Sequence, residues 1–246
     1  MELGIVFHPR ELVGRDLSDA CCVVIDLLRA TTTMTTAIAN DAREIRVFSD
    51  LEDAQSAHAA FNGAKLLAGE RRCLPPAGFD LGNSPGDFTS DRVKDATIFL
   101  STTNGTRAVL ACANARITLV AALVNASATA LAISKLGHDV VFVCAGVDGV
   151  PGGEDIDAAA TIGEMVILQT PASRPTPPMK REIADASWLG NRFDAARLRA
   201  TPGGKNLIAA GLERDIAFSS QIDFLDCVCV VSFLKMGGVV SRLGNC

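Results

Sequence analysis

With 246 residues, 48% of them hydrophobic, the chain can bury a sizeable core, which excludes intrinsic disorder. A net charge of −5 and a predicted pI of about 5.2 argue against a general nucleic-acid or membrane-surface binder. No uncharged apolar run of about 20 residues is available to span a membrane. The eight cysteines do not read as a disulfide set. The start, Met1-Glu2-Leu3-Gly4, is acidic and unlike a signal peptide, and Cys21, Cys22, Cys144, Cys227 and Cys229 lie in strand-like apolar runs. Reduced thiols and a cytoplasmic address are therefore expected.

In chain order, residues 4–7 predict a short strand. Residues 21–25 form a continuous apolar run ending at Asp26, as suits a strand covered on both faces of a parallel sheet. A helix over 34–42, a strand over 45–48 and a helix over 51–61, capped by Ser49 or Asp50, come next. Residues 65–69 read as a strand closing on Glu70-Arg71. The polar stretch 72–90 reads as a long loop anchored by Phe79 and Leu81. Strands over 96–100, 117–120 and 140–144 alternate with helices over 108–113, 125–136 and 156–168. Residues 181–220 are mostly helical, broken by Pro202-Gly203-Gly204, and 227–231 is the last clear strand.

This alternation predicts an α/β fold: a mainly parallel or mixed sheet flanked by helices in three α/β/α layers. The chain reads as a single catalytic unit over 1–246, with lobes at about 1–120 and 121–246. A shift of 72 positions lays Thr32 on Asn104 and Ile45 on Ile117, so two similar βαβ units are expected. In such folds ligands bind beyond the strands' carboxyl ends, where Asp26, Glu70, Ser101 and Gly146 would share one rim.

The most informative turn is Ser101-Thr102-Thr103-Asn104-Gly105-Thr106-Arg107, between an apolar strand and a helix. Free N–H groups and the helix dipole favour an anion there. Gly105 would let backbone approach a ligand, and Arg107 could grip phosphate through two donors. Simple capping by Ser101 or Thr103 is the alternative. Asp26, at a strand end, suits Mg²⁺ or an ion pair with Arg29. Glu70-Arg71 could divide between metal and substrate, or form a surface pair. Gly78-Phe79-Asp80-Leu81-Gly82-Asn83-Ser84-Pro85 could fold over a ligand or be a series of turns. Glu154-Asp155 could complete a metal site or simply favour a helix dipole. The nucleotide P-loop and the G-x-S-x-G elbow are absent, which disfavours a nucleotide-dependent transferase and an elbow-type serine hydrolase.

The blocks Ile25-Asp26-Leu27-Leu28-Arg29-Ala30-Thr31-Thr32-Thr33, Leu67-Ala68-Gly69-Glu70-Arg71, 78–85, 101–107 and Cys144-Ala145-Gly146 with Glu154-Asp155 occur in this order. Together they resemble the 2-phosphosulfolactate phosphatase family. The C-terminal third matches more loosely, since the strand region at 227–232 lacks a proline expected there. The resemblance implies a Mg²⁺-dependent phosphatase of sulfolactate or coenzyme M metabolism. Its substrate would be a three-carbon acid carrying phosphate, carboxylate and sulfonate. Asp26, Arg29, Glu70 and Arg71 are the expected catalytic residues, and Asp26, Glu70 and Asp155 the expected metal ligands. Thr32, Asn83, Ser84, Thr102, Thr103, Asn104, Gly105, Thr106 and Arg107 are expected to bind substrate. A non-catalytic anion-binding or regulatory protein with the same pocket is the other functional class, and self-association into a homo-oligomer stays open.

Overall fold

The computed structural model describes residues 1–147, 149–186 and 194–244. Its strands are β1 (Glu2–Val6), β2 (Ala20–Ile25), β3 (Glu44–Phe48), β4 (Lys65–Gly69), β5 (Thr97–Ser101), β6 (Ile117–Ala121), β7 (Asp139–Cys144), β8 (Arg174–Pro175), β9 (Cys229–Phe233) and β10 (Gly238–Arg242). The helices are α1 (Ala30–Ala39), α2 (Leu51–Ala60), α3 (Ser90–Val93), α4 (Gly105–Ala111), α5 (Ala126–Leu136), α6 (Gly153–Gln169), α7 (Pro177–Ala186), α8 (Ala195–Ala200), α9 (Pro202–Ala209) and α10 (Glu213–Ser219).

All ten strands form one sheet in the order β4-β5-β3-β10-β9-β6-β2-β7-β1-β8. The blocks β4-β5-β3 and β6-β2-β7-β1-β8 are each parallel. Between them β10 runs antiparallel to both β3 and β9, and β9 antiparallel to β6, so the two blocks point in opposite directions. Period-two alternation places the layers. Cys22 and Val24 of β2 pack in one core with Met34 of α1 and Val109 of α4. Cys21, Val23 and Ile25 face a second core with α5, α6 and α7. A third, small core of Phe48, Leu67 and Phe99 lies under Ala54 of α2. The fold is thus the three-layer α/β/α sandwich of the sequence reading.

Two units repeat: β2-α1-β3-α2-β4 and β5-α4-β6-α5-β7. In each, the first strand lies at the centre of a parallel trio, β2 between β6 and β7, and β5 between β3 and β4. Ala30 corresponds to Gly105 and Thr31 to Thr106, three positions beyond the shift of 72. Other boundaries also move. α1 begins at Ala30, so Thr31, Thr32 and Thr33 are buried within it. α6 takes in Glu154 and Asp155. The terminal strand 227–231 is β9, starting at Cys229, and β10 follows it. The 78–84 stretch does not stand free: Leu67 N donates to Asp80 Oδ2 (2.8 Å) and Gly69 N to the Leu81 carbonyl (3.2 Å), covering the open edge of β4. Cys21, Cys22, Cys112, Cys144, Cys227 and Cys229 are free thiols, and no helix among the described residues is long and apolar enough to cross a membrane.

β2 and β5 are five places apart in the sheet. Flat, they would be separated by roughly 24 Å, with their carboxyl ends on opposite edges. Yet Gly105, just beyond β5, packs directly on Asp26, just beyond β2. The sheet therefore curls around α1 and α4, as accumulated strand twist allows, and two opposed carboxyl edges meet at one place.

Candidate active site

Both helix starts are closed by the same device. Asp26 N donates to Thr31 Oγ1 (3.0 Å), which donates back to the Asp26 carbonyl (2.9 Å). In the second unit Thr102 N donates to Thr106 Oγ1 (3.1 Å), which returns to the Thr102 carbonyl (3.0 Å), and Thr106 N donates to Thr102 Oγ1 (3.1 Å). Thr32 donates to the Leu27 carbonyl (2.8 Å). Thr32, Thr102 and Thr106 are thus buried, mutually satisfied caps rather than the substrate ligands expected. Gly105 also serves differently. A methyl group there would overlap Ala30 Cβ and lie 2.5 Å from Asp26 Oδ2, so the glycine brings the helices together instead of opening to a ligand.

Where the helix starts meet, a cavity of about 650 Å³ opens, within the usual range for small-molecule sites. Asp26, Arg29, Glu70, Arg71, Asn83, Thr103 and Asn104 line it, joining four of the sequence blocks. Asn83 brings a buried Oδ1 that has no partner. Residues outside the expected set line it too: Arg72, and Gly203 and Asn206 of α9. The α9 residues lie far along the chain in a stretch with no motif, so sequence carried no signal for them.

Several expected residues are already engaged. Glu70 Oε1 accepts from Thr103 N (2.7 Å) and Oε2 from Cys73 N (3.0 Å). Asp155, off the cavity, accepts from Leu27 N (2.8 Å) and Gly146 N (2.9 Å), tying the β2 end to the β7 end. Arg29 Nη1 donates to Asp215 Oδ2 (2.6 Å) and Ser84 Oγ (3.0 Å), and Nη2 to the Cys73 carbonyl (2.6 Å). Ser84 donates to the same Asp215 oxygen (2.8 Å). Arg29 and Ser84 are therefore parts of a buried brace, not groups free to take substrate. Arg107 lies on the exposed surface, within 3.4 Å of Asp50 Oδ1 and of the Ser49 carbonyl, and does not line the cavity.

Four carboxylates crowd this junction. Burial, reinforced by Glu70 and Glu154, pushes the Asp26 pKa up to about 7, against the Ala30 amide and Arg29, which lower it. Burial raises Asp155 well above the usual range, helped by Asp26 and Glu154. Burial raises Glu154 as well, and its Oε2 is buried without a partner. Such mutual repulsion is relieved by a cation or by protons. Among the described residues no three His, Cys, Asp or Glu side chains form a ready cage. The expected metal ligands Asp26, Glu70 and Asp155 are therefore not assembled as one cage among the described residues. Asp26 Oδ2 and Glu154 Oε2 are the carboxylate oxygens left unbonded, while Glu70 and Asp155 hold backbone amides.

The family model for 2-phosphosulpholactate phosphatase matches residues 6–232. A probable 2-phosphosulfolactate phosphatase of Carboxydothermus hydrogenoformans is 34% identical over 235 residues, covering 93% of this chain and 92% of the relative. One from Gloeobacter violaceus is 35% identical over 219 residues, covering 89% and 90%. One from Caldanaerobacter subterraneus subsp. tengcongensis is 44% identical over 151 residues, 61% of this chain and 63% of the relative. With a match that spans every residue lining the cavity, the chain belongs to the 2-phosphosulpholactate phosphatase family and is a phosphoric monoester hydrolase.

Proposed function

We propose that the chain hydrolyses a small phosphorylated acid, 2-phosphosulfolactate in the first instance, to sulfolactate and phosphate with the help of Mg²⁺. The observation that carries this is the cavity's polarity. Its buried end holds Asp26 and Glu70, and its more open part holds Arg71 and Arg72. A multiply anionic molecule entering there meets guanidinium groups, and its phosphate reaches the carboxylate end only if a cation offsets the repulsion. Asp26 would hold the metal, with Glu154 beside it. When bound, Mg²⁺ supplies neutralisation of charge on the transferring phosphoryl group. Thr103 and Asn104 orient the phosphate, and the hydrogen-bonded carboxylates of Glu70 and Asp155 keep the two strand ends in register. The free thiols fit a reducing, cytoplasmic setting, and the product would enter sulfolactate or coenzyme M metabolism.

Phosphate release should be assayed over a series of phosphorylated two- to four-carbon acids, with Mg²⁺ and with EDTA. Release that is fastest with 2-phosphosulfolactate and lost in EDTA supports the proposal. Activity undiminished by EDTA overturns the metal. Binding without turnover of any member leaves a non-catalytic anion-binding protein.

A further inference from the structure

Arg71 and Leu74 exchange backbone hydrogen bonds (3.0 and 3.2 Å), closing a two-residue turn around Arg72 and Cys73. Both central residues have positive φ, +52° at Arg72 and +69° at Cys73. Two-residue turns of this hand normally take Asn-Gly or Gly-Gly, because a side chain resists that backbone. Here an arginine and a cysteine occupy it. Cys73 is gripped from two sides, by Glu70 Oε2 on its N–H (3.0 Å) and by Arg29 on its carbonyl (2.6 Å), and Arg29 is held in turn by Asp215. An unfavourable turn so firmly overdetermined points to a use for the side chain it presents. That side chain lines the cavity. Arg29 is bound up in its brace and Arg71 donates to the Glu70 carbonyl (2.9 Å), whereas Arg72 has no hydrogen-bond or ion-pair partner among the described residues.

We infer that Arg72 is a specificity-determining residue that binds the sulfonate of the substrate. The inference rests on the hydrolase reading above. The phosphate belongs at the buried carboxylate end, beside Asp26 and Glu70. Arg72 is exposed, lines the same cavity as Asn206 of α9, and meets the acid group remote from the phosphate. A guanidinium fork suits a three-oxygen anion. Glu70, Arg29 and Asp215 are positioning residues for this turn.

Glycine tests the idea cleanly, since the backbone at this position favours it. Wild type, Arg72→Gly and Arg72→Lys should be compared by phosphate-release kinetics on 2-phosphosulfolactate and on 2-phospholactate, which has a methyl group in place of the sulfonate arm, together with Tm. Arg72→Gly should keep or raise Tm. It should also raise KM for 2-phosphosulfolactate roughly tenfold or more, leaving KM for 2-phospholactate and kcat within about twofold. Arg72→Lys should fall between. An unchanged KM in Arg72→Gly, or an equal loss on both substrates, overturns the assignment. Calorimetry with sulfolactate separates this inference from the hydrolase reading. Wild type that binds sulfolactate yet releases no phosphate from 2-phosphosulfolactate defeats the hydrolase reading alone, and Arg72→Gly should still weaken that binding about tenfold. Wild type that does not bind sulfolactate defeats the Arg72 inference.

Discussion

Asp26 combines an unbonded Oδ2 with a pKa pushed up to about 7 by burial and by neighbouring acids. A carboxyl raised in the folded state favours folding while protonated. Its contribution is complete below the ordinary value of 3.8 and is lost as pH rises through about 7. In EDTA, the wild-type Tm should therefore fall between about pH 4 and 7, and Asp26→Asn, which stays neutral, should fall less. Adding Mg²⁺ at pH 8 should restore Tm in wild type and not in Asp26→Asn; equal responses would remove Asp26 as the metal's anchor. Asp26→Ala should lower phosphate release by about two to three orders of magnitude. Arg107→Ala is the contrasting case. Its side chain is 56% exposed and lies off the cavity, so KM should stay within about twofold of wild type. Local sequence misled here for a definite reason. Arg29, Arg71 and Arg107 all follow strand ends, but which of them is free depends on partners such as Asp215, 186 positions from Arg29.

At the level of elements, the contact between the α1 and α4 starts is where fold and site coincide. Alanine normally favours a helix over glycine by about 1 kcal/mol. At Gly105 the added methyl would overlap Ala30 Cβ and press on Asp26 Oδ2, both fixed by buried helix starts. Overpacking costs about 1–3 kcal/mol, so the clash should win. Gly105→Ala should lower stability in urea titration and reduce kcat more than KM, because it displaces Asp26. A stability gain would show that the helices can part freely. The strand and helix alternation was legible because buried runs such as Cys21–Ile25 are continuous and apolar. Sequence leaves Thr32 open between substrate ligand and cap because hydroxyls serve both equally well; burial within α1 decides for the cap. β10 went unread because it is short and opens on Gly237-Gly238, a pattern that resembles a loop.

Across the whole molecule, the site exists because two opposed parallel blocks curl until their carboxyl edges touch. Sequence suggests two similar βαβ units, three residues out of register, but not the antiparallel β9–β10 pair that reverses one block against the other. It also could not show that α8–α10 return to wall the cavity. Among the described residues, three ion pairs dock that arm: Arg197 on Asp157, Arg214 on Asp87, and the buried Asp215 on Arg29 at 2.6 Å with each side chain 2% exposed. The first two are partly solvated and should contribute little. The third differs, because removing Asp215 leaves the Arg29 guanidinium buried with Ser84 and a carbonyl as its remaining partners. Asp215→Ala should lose about 3–5 kcal/mol in denaturant titration. The cost should reflect the stranded charge rather than the net value of the pair, so the double variant Arg29→Met/Asp215→Leu should recover much of that stability. Catalysis should not recover with it. Without Arg29 the Cys73 carbonyl loses its grip and the turn carrying Arg72 is free to relax, so KM should stay raised in the double variant. Full recovery of KM together with stability would mean that the brace supports only the fold, and that the cavity's arginines hold their places without it.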